Sequence, residues 1–442
     1  MGFQRFHRLL TAIVFGATAM LCAPALQAET LENLIMTAVE KHDRVRAAKR
    51  DVEAARQRAR EALGDWYPVL TPTANYGWER QYKFEADNTS TAFEEFDLSM
   101  KQLLWDFGKT NATVEKARLT VETSQASLKT VRQNLLLEAV TAYVNLIRSQ
   151  ESLEFALQSE SNIREQTELE NARVETGAGL STDVLQAKTQ LASAQSRLIQ
   201  SEGGVINARN RFEAVFGYVP DNISDLDRPN LSTLELPESL GVALDTALQN
   251  NPRLHTAYID ERTVKQTIKE VRGTEFMPKI EGTVERKWKN NVAGTLEFKG
   301  ETLMKVEMSV PLNMGLTGLD ALEAARHDIA SKALTTADLV RTIREEVSNA
   351  WADLLTAQRN ADALLNQAAI SSAFLDLARQ ERELGQRSLI DVLSGETSLI
   401  NAQSDALSAE ADVIIAAYTL LSSMGTLEYA SFNPGNQQAD SE

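Results

Sequence analysis

Two stretches of this chain contain neither glycine nor proline: Lys109 to Thr176 and Leu319 to Leu384. No other feature limits the possible folds so strongly. Glycine and proline punctuate helices, and a helix of about 68 residues is on the order of 100 Å long at 1.5 Å per residue. A globular core has no use for that length. In the first stretch Val114, Ala117, Val121, Ser124, Leu128, Val131 and Leu135 step alternately by three and four, which is heptad spacing. The register then jumps to Ala139, Tyr143 and Leu146, a four-residue step that relaxes a supercoil locally. Small residues in the seam predict very long, closely packed coiled-coil helices.

The stretches end in related turns. Gly177–Gln195 reads GAGLSTDVLQAKTQLASAQ and Gly385–Gln403 reads GQRSLIDVLSGETSLINAQ, at a constant offset of 208. Glu138, Ala142, Tyr143 and Leu146 match Glu346, Ala350, Trp351 and Leu354 at the same offset, and Gly217 matches Gly425. Nearer the start the offset drifts: Leu31, Ala38 and Val45 match Leu240, Ala247 and Leu254, and Tyr67-Pro68 matches Met277-Pro278. Residues 29–225 and 237–430 therefore read as two copies of one unit. Between them, 226–236 reads as a linker, within a Val219–Pro237 segment rich in Pro, Asp, Asn and Ser.

Each copy has the same internal order. A helical pattern through Leu31, Leu34, Ala38 and Val45 continues into the Ala- and Arg-rich 47–62 and stops near Gly64 and Pro68. Hairpins follow over 67–107 and 277–312. Phe96, Leu98 and Met100 alternate with Glu95, Asp97 and Ser99; Met304, Val306, Met308 and Val310 alternate with Lys305, Glu307 and Ser309. That period signals strands with one apolar and one polar face. Asp87-Asn88 and Asn290-Asn291 offer the turns. Then come the long helices, 109–176 and 319–384, sharp turns, and returning helices over 181–217 and 389–424.

The ends set the compartment. Arg5 and Arg8 precede an apolar run from Leu9 to Leu21, and Ala25–Ala28 offers a cleavage site, so 1–28 reads as a secretory signal peptide; cleavage after Ala25 is the alternative. The one cysteine, Cys22, falls inside it, which leaves neither disulfides nor cysteine metal ligands. Losing both arginines takes the formal charge from −17 to −19, which argues against nucleic acid as partner. No later apolar run reaches the roughly 18 residues of a spanning helix. Entry into a membrane would then need a closed β-barrel. Residues 431–442 read as a polar, disordered tail.

Four strands alone cannot close, so several chains would have to pool them. Trp66, Tyr67, Tyr76, Trp78, Tyr82, Phe84, Phe93, Phe96, Trp105 and Phe107 fall within 42 residues, and such rings favour a lipid–water boundary. A soluble hairpin with an aromatic core is the bland alternative. The mature chain keeps only His42, His255 and His327, without the spacing of a metal site, and Gly177-Ala178-Gly179 lacks the preceding strand of a phosphate loop. Neither enzyme activity nor a cofactor is expected.

Taken together, the signal, the tandem halves, the Ala142-Tyr143 and Ala350-Trp351 pairs, the two Asp-Val-Leu tips, Gln249-Asn250-Asn251-Pro252 and Ser309-Val310-Pro311-Leu312 resemble the TolC family. The resemblance covers essentially the whole mature chain. It implies an α+β membrane protein: a homotrimer whose strands close a 12-stranded β-barrel in outer-membrane lipid, continued across the periplasm by an α-helical tunnel. The implied function is the exit duct of a tripartite export system, with a periplasmic adaptor and an inner-membrane transporter of ABC or RND type. Type I secretion of polypeptide and efflux of small molecules both fall within it.

The resemblance also implies roles at the tips. Asp391, with Asp183 as its first-half equivalent, matches an acid at the tunnel constriction, and Arg387 matches a basic residue that holds the closed state. Ser394 stands where some members carry a second acid. Gly177, Gly179, Leu180, Gly385 and Leu389 correspond to the region that meets the adaptor. Local structure offers a competing account. First-turn acids stabilise helices, Ser388 and Asp391 have capping-box spacing, and Gly177 and Gly385 suit left-handed helix stops. The alternative function is a structural coiled-coil protein of the envelope or surface, without a pore.

Overall fold

A computed structural model describes residues 31–428 apart from 83, 85–87, 178, 221, 224–225 and 232–233. The expected signal peptide, the 431–442 tail and Asp87 of the first proposed turn lie outside the described residues. In chain order the elements are α1 (Leu31–Lys41), α2 (Asp43–Gly64), β1 (Val69–Gln81), β2 (Thr89–Trp105), α3 (Lys109–Glu175), α4 (Ser181–Phe216), α5 (Leu240–Asn250), α6 (Pro252–Glu275), β3 (Lys279–Asn290), β4 (Phe298–Ser309), α7 (Thr317–Glu383) and α8 (Leu389–Met424).

The first helical pattern is broken in two. His42 has extended backbone, and its Nδ1 accepts a hydrogen bond from the Arg44 amide at 3.2 Å, so the histidine caps α2 and separates it from α1. Apolar periodicity runs through this break unaltered, which is why spacing alone reads one helix. Asp106 starts α3. Buried at 3% exposure, its carboxylate accepts from the amides of Gly108 (3.1 Å) and Thr110 (2.7 Å). The segment 313–316 does the same work before α7, where Asn313 Oδ1 accepts from the Gly315 amide at 3.0 Å.

All four strands form one antiparallel sheet in the order β1-β2-β3-β4. The hairpins of the two halves are joined through β2 and β3, and β1 and β4 are left as open edges. Register sorts the residues into two faces. Leu98 pairs with Arg286, Phe96 with Trp288 and Met100 with Val284, and across the next strand these meet Thr302, Gly300 and Met304. This face is apolar. The other brings Glu95, Asp97 and Ser99 beside Lys289, Lys287 and Glu285.

The main core lies partway down the long helices. Leu135, Leu136, Ala139, Tyr143 and Leu146 of α3 pack with Phe212 of α4, Ile343 and Val347 of α7, and Leu420 of α8. Each fully buried Leu or Phe contributes about 1.5–3 kcal/mol. The 219–236 segment is no free tether, because Ile223, Leu226 and Leu234 are buried in this core and the Tyr143 hydroxyl donates to Asp227 O at 2.7 Å. From the same segment Arg228 reaches Glu151 of α3 (Nε–Oε1 3.1 Å) and Glu410 of α8 (2.8 Å). The hydrogen bond and charge of Glu151, joined by Glu410, outweigh desolvation and raise the Arg228 pKa above its ordinary value. The guanidinium thus stays charged at any accessible pH.

One correction concerns α8. Among the described residues it is long and apolar enough to cross a membrane by length and composition. It contains no unbroken apolar run of spanning length, and its apolar residues are used internally: Val392, Leu393, Ala406, Ala417, Leu420 and Leu421 are all buried.

Candidate functional site

The sheet and the far turns stand at opposite ends of α3 and α7, about 100 Å apart by helix length. At the sheet end, the polar face carries Glu79, Glu95, Asp97, Glu281, Glu285, Glu301 and Glu307 against Lys101, Lys279, Lys287, Lys289, Lys299 and Lys305. Lys287 lies 3.4 Å from Glu285 and 3.8 Å from Asp97; Lys289 lies 3.2 Å from Glu301 and 3.8 Å from Glu95; Lys305 lies 2.6 Å from Glu307. A wall that sequence charge would make plainly acidic is therefore largely compensated, with two lysines of β3 as its spine. The apolar face holds Tyr76, Trp78, Phe96 and Trp288; Phe96 and Trp288 touch at 5.5 Å between ring centroids. Phe93 is an exception among the aromatics. Its ring lies on the polar face over Gly77, where an added Cβ would come within 2.6 Å of it.

At the far end each helical hairpin turns through a left-handed glycine: Gly177 at φ 79° and Gly385 at φ 72°. Gly177 N donates to Val174 O at 3.0 Å and Gly385 N to Arg382 O at 2.9 Å, which closes the last turns of α3 and α7. Gly179 is small for a different reason, since a Cβ there would lie 2.9 Å from Val174 Cγ2. Leu180 has extended backbone before α4 and is 66% exposed.

Both aspartates sit in first turns. The Asp183 amide donates to Leu180 O at 3.0 Å, and Thr182 Oγ1 approaches its carboxylate at 3.5 Å. Ser388 caps α8: its Oγ accepts from the Asp391 amide at 3.4 Å and donates to Asp391 Oδ2 at 2.8 Å. Neither aspartate has an ion-pair partner among the described residues. Ser394 is exposed one turn further on. Arg387 Nε donates to Glu381 Oε2 at 2.6 Å, and its guanidinium lies 5.3 Å from the Phe374 ring centroid.

Leu389 departs from its expected place. It is 3% exposed, packed with Ile163, Ala187, Ala194 and Leu393, so it joins the two hairpins and offers nothing to a partner. Its register explains this, because Leu389, Leu393 and Ile400 form the inward seam of α8. The exposed apolar residues at the turns are Leu180 and Leu384.

Sequence reasoning missed a set of buried carboxylates above the turns. Glu170 of α3, 4% exposed at its side chain, is bonded by Arg382 of α7 at 2.9 Å and flanked by Arg173 at 3.6 Å. Glu396 of α8, equally buried, pairs with Arg379 of α7 and accepts from Asn162 of α3 at 3.4 Å. Glu160 pairs with Arg164 at 2.5 Å. Glu170 falls seven residues after Ile163 in the buried seam, and that register was the available signal.

Comparison with known proteins accords with this geometry. The family described as outer membrane efflux protein matches residues 34–218 and 243–426, one match in each half. The chain belongs to the outer membrane efflux protein family. BepC of Brucella suis, an outer membrane efflux protein, is 24% identical over 426 residues, covering 96% of this chain and 91% of the relative. AprF of Pseudomonas aeruginosa, an alkaline protease secretion protein, is 25% identical over 451 residues, covering 96% and 90%. The solved structure of CusC superposes with a TM-score of 0.78 at 19% identity, covering 89% of this chain and 92% of that one, a likeness of fold. As a family member the chain is an outer-membrane exit duct for efflux or type I secretion, extending into the periplasm, in agreement with the TolC-family resemblance of its motifs.

Proposed function

We propose that three copies of this chain form the duct, that the duct is closed at the Asp183 and Asp391 turns, and that it is passive. The observation that carries the reading is the unfinished state of one chain. Its sheet has two open edges, and its helices leave apolar seams bare. Leu185, Ala192, Ile199 and Ile206 recur every seven residues along α4, all exposed. Ile370, Leu377 and Leu384 recur every seven along α7 and are exposed as well. Both rows start at the turns, so α7 of one copy can lie along α4 of the next. Three sheets of four strands give an even-numbered barrel of twelve.

In a trimer three Asp183 and three Asp391 approach one axis. Like charges held close favour binding of a cation or opening of the turns. Capping by Ser388 and gating by Asp391 are compatible, because capping uses the amide and one carboxylate oxygen. Leu180 and the open turns at Gly177 and Gly385 are the surface for a periplasmic adaptor, which joins the duct to an inner-membrane transporter.

Single-channel recording in planar bilayers tests this, comparing wild type with Asp183→Ala/Asp391→Ala. Expected is a small cation-selective conductance, blocked by divalent cations, that rises or loses its block in the variant. Detergent-extracted, folded oligomers silent in both forms would sink the gate and return the aspartates to helix capping alone.

A further inference from the structure

We propose that Arg286, with Trp288 and Thr302, forms a surface site for the phosphate of a lipid in the outer leaflet, lipid A being the class that fits. The site rests on the outward orientation of the apolar sheet face in the barrel. Of the strand residues on that face only Arg80, Glu94 and Arg286 carry charge. Arg286 sits among apolar neighbours: Leu98 beside it on β2, Val284 and Trp288 on its own strand, Met304 on β4. A cation facing lipid is costly unless its charge is compensated or carried to the interface. No carboxylate among the described residues lies within ion-pair distance of Arg286. Glu94, the one acid on this face, pairs with Asn290, four residues further along β3.

The side chain is built to reach outward. Its Nη1 donates to Thr302 Oγ1 at 2.5 Å, and the guanidinium carbon lies 5.4 Å from the Trp288 ring centroid. Opposite Trp288 stands Gly300, where an added Cβ would come within 3.1 Å of Arg286 Nη2. Glycine leaves the room that the guanidinium occupies. From the Thr302 level the group thus extends one level toward the hairpin tip, the end away from the periplasmic helices, as snorkelling cations do. Arg80, nearer the tip of β1, lies likewise over Tyr82 at 5.5 Å. A planar guanidinium with one hydroxyl contact and one stacked face keeps further N–H donors for a doubly accepting oxyanion. Below it Val284, Met304 and Met100 give an apolar strip for acyl chains. Anion above and hydrocarbon below describe a phosphorylated amphiphile, and a free anion would gain nothing from that strip.

The test uses the detergent-purified oligomer, native mass spectrometry, and two probes: diphosphoryl lipid A and the same lipid with its phosphates removed. Wild type should bind the phosphorylated lipid in preference. Arg286→Gln should bind it roughly tenfold more weakly, the loss of a charged hydrogen bond, while Arg286→Lys retains part of the preference. Equal binding of the two lipids by wild type would overturn the proposal without reference to any variant, as would unchanged affinity in a folded Arg286→Gln oligomer. If Arg286→Gln fails to assemble, Gly300→Ala, which crowds the guanidinium, takes its place and should weaken phosphate selectivity. Failure of the barrel reading is separate: the wild type would then not partition with outer membranes at all.

Discussion

Glu170 and Arg382 meet at 2.9 Å between helices from different halves of the chain, five residues before α3 ends and one before α7 ends. The ion pair fastens the two helical hairpins to each other just above their turns. Removing one partner leaves the other charge in a poorly solvated place. Glu170→Ala should destabilise by on the order of 2 kcal/mol, short of the cost of a fully buried pair because Arg382 keeps some exposure. Glu170→Ala/Arg382→Ala should unfold at a higher temperature than Glu170→Ala, yet conduct at least as well. A double variant less stable than the single one would mean that the two residues do not act as a pair.

Two glycines with similar backbone angles should respond very differently to alanine. Gly385 has φ 72° and open space around it, so Gly385→Ala carries only left-handed strain, about 1–2 kcal/mol. Gly425 has φ 77°, and a Cβ there would lie 2.7 Å from Asn250 O and from Asn251 Cα. That backbone is also held by Asn251 Nδ2 donating to Ser423 O at 2.9 Å and by Gln133 Nε2 donating to Gly425 O at 2.6 Å. Gly425→Ala should abolish detergent-extractable oligomer on native gels, whereas Gly385→Ala should leave it abundant. Equal yields would refute the close packing of the α8 end on the start of α6.

Ser388 offers a milder change. Ser388→Ala removes the side-chain cap of α8 and the hydroxyl that donates to Asp391, and should cost about 1 kcal/mol in thermal or denaturant unfolding. Ser388→Asp should recover the cap while adding a carboxylate to the closed end. Divalent block should therefore strengthen in Ser388→Asp; if it weakens, the turn does not face the permeation path.

How much of this was legible in the sequence differs between fold and site. The long helices, the alternating strands and the two turns follow from local signals: absent glycine and proline, a period of two, and glycines that need positive φ. The division at His42 was not legible, because heptad spacing continues through it and only the side-chain cap marks the break. At the turns the aspartates were visible as residues, but the Glu170, Glu396 and Arg382 contacts were not. Charged residues on a long helix read by default as solvated, and recognising these required the register that buries them between hairpins. Leu389 failed for the same reason in reverse: nearness to the turn suggested exposure, and the inward seam of α8 overrode it.

The compensated wall of the sheet leads to a prediction about permeation. Each chain contributes seven carboxylates and six lysines to the polar face, and Lys287 and Lys289 stand in its middle, each within 4 Å of two acids. In wild type these lysines blunt the field that the acids would create. Lys287→Gln/Lys289→Gln leaves the carboxylates in place with less neutralisation, so the lumen becomes more negative and concentrates cations. In a background opened by Asp183→Ala/Asp391→Ala, where the turns no longer dominate resistance, cation-over-anion permeability should rise about twofold to tenfold. The increase should shrink at 1 M salt, where the screening length falls to about 3 Å from about 10 Å at 0.1 M. Reversal potentials in asymmetric potassium chloride measure it directly. An unchanged reversal potential at low salt would mean that the charged face does not line the lumen, and the orientation of the sheet would have to be reversed.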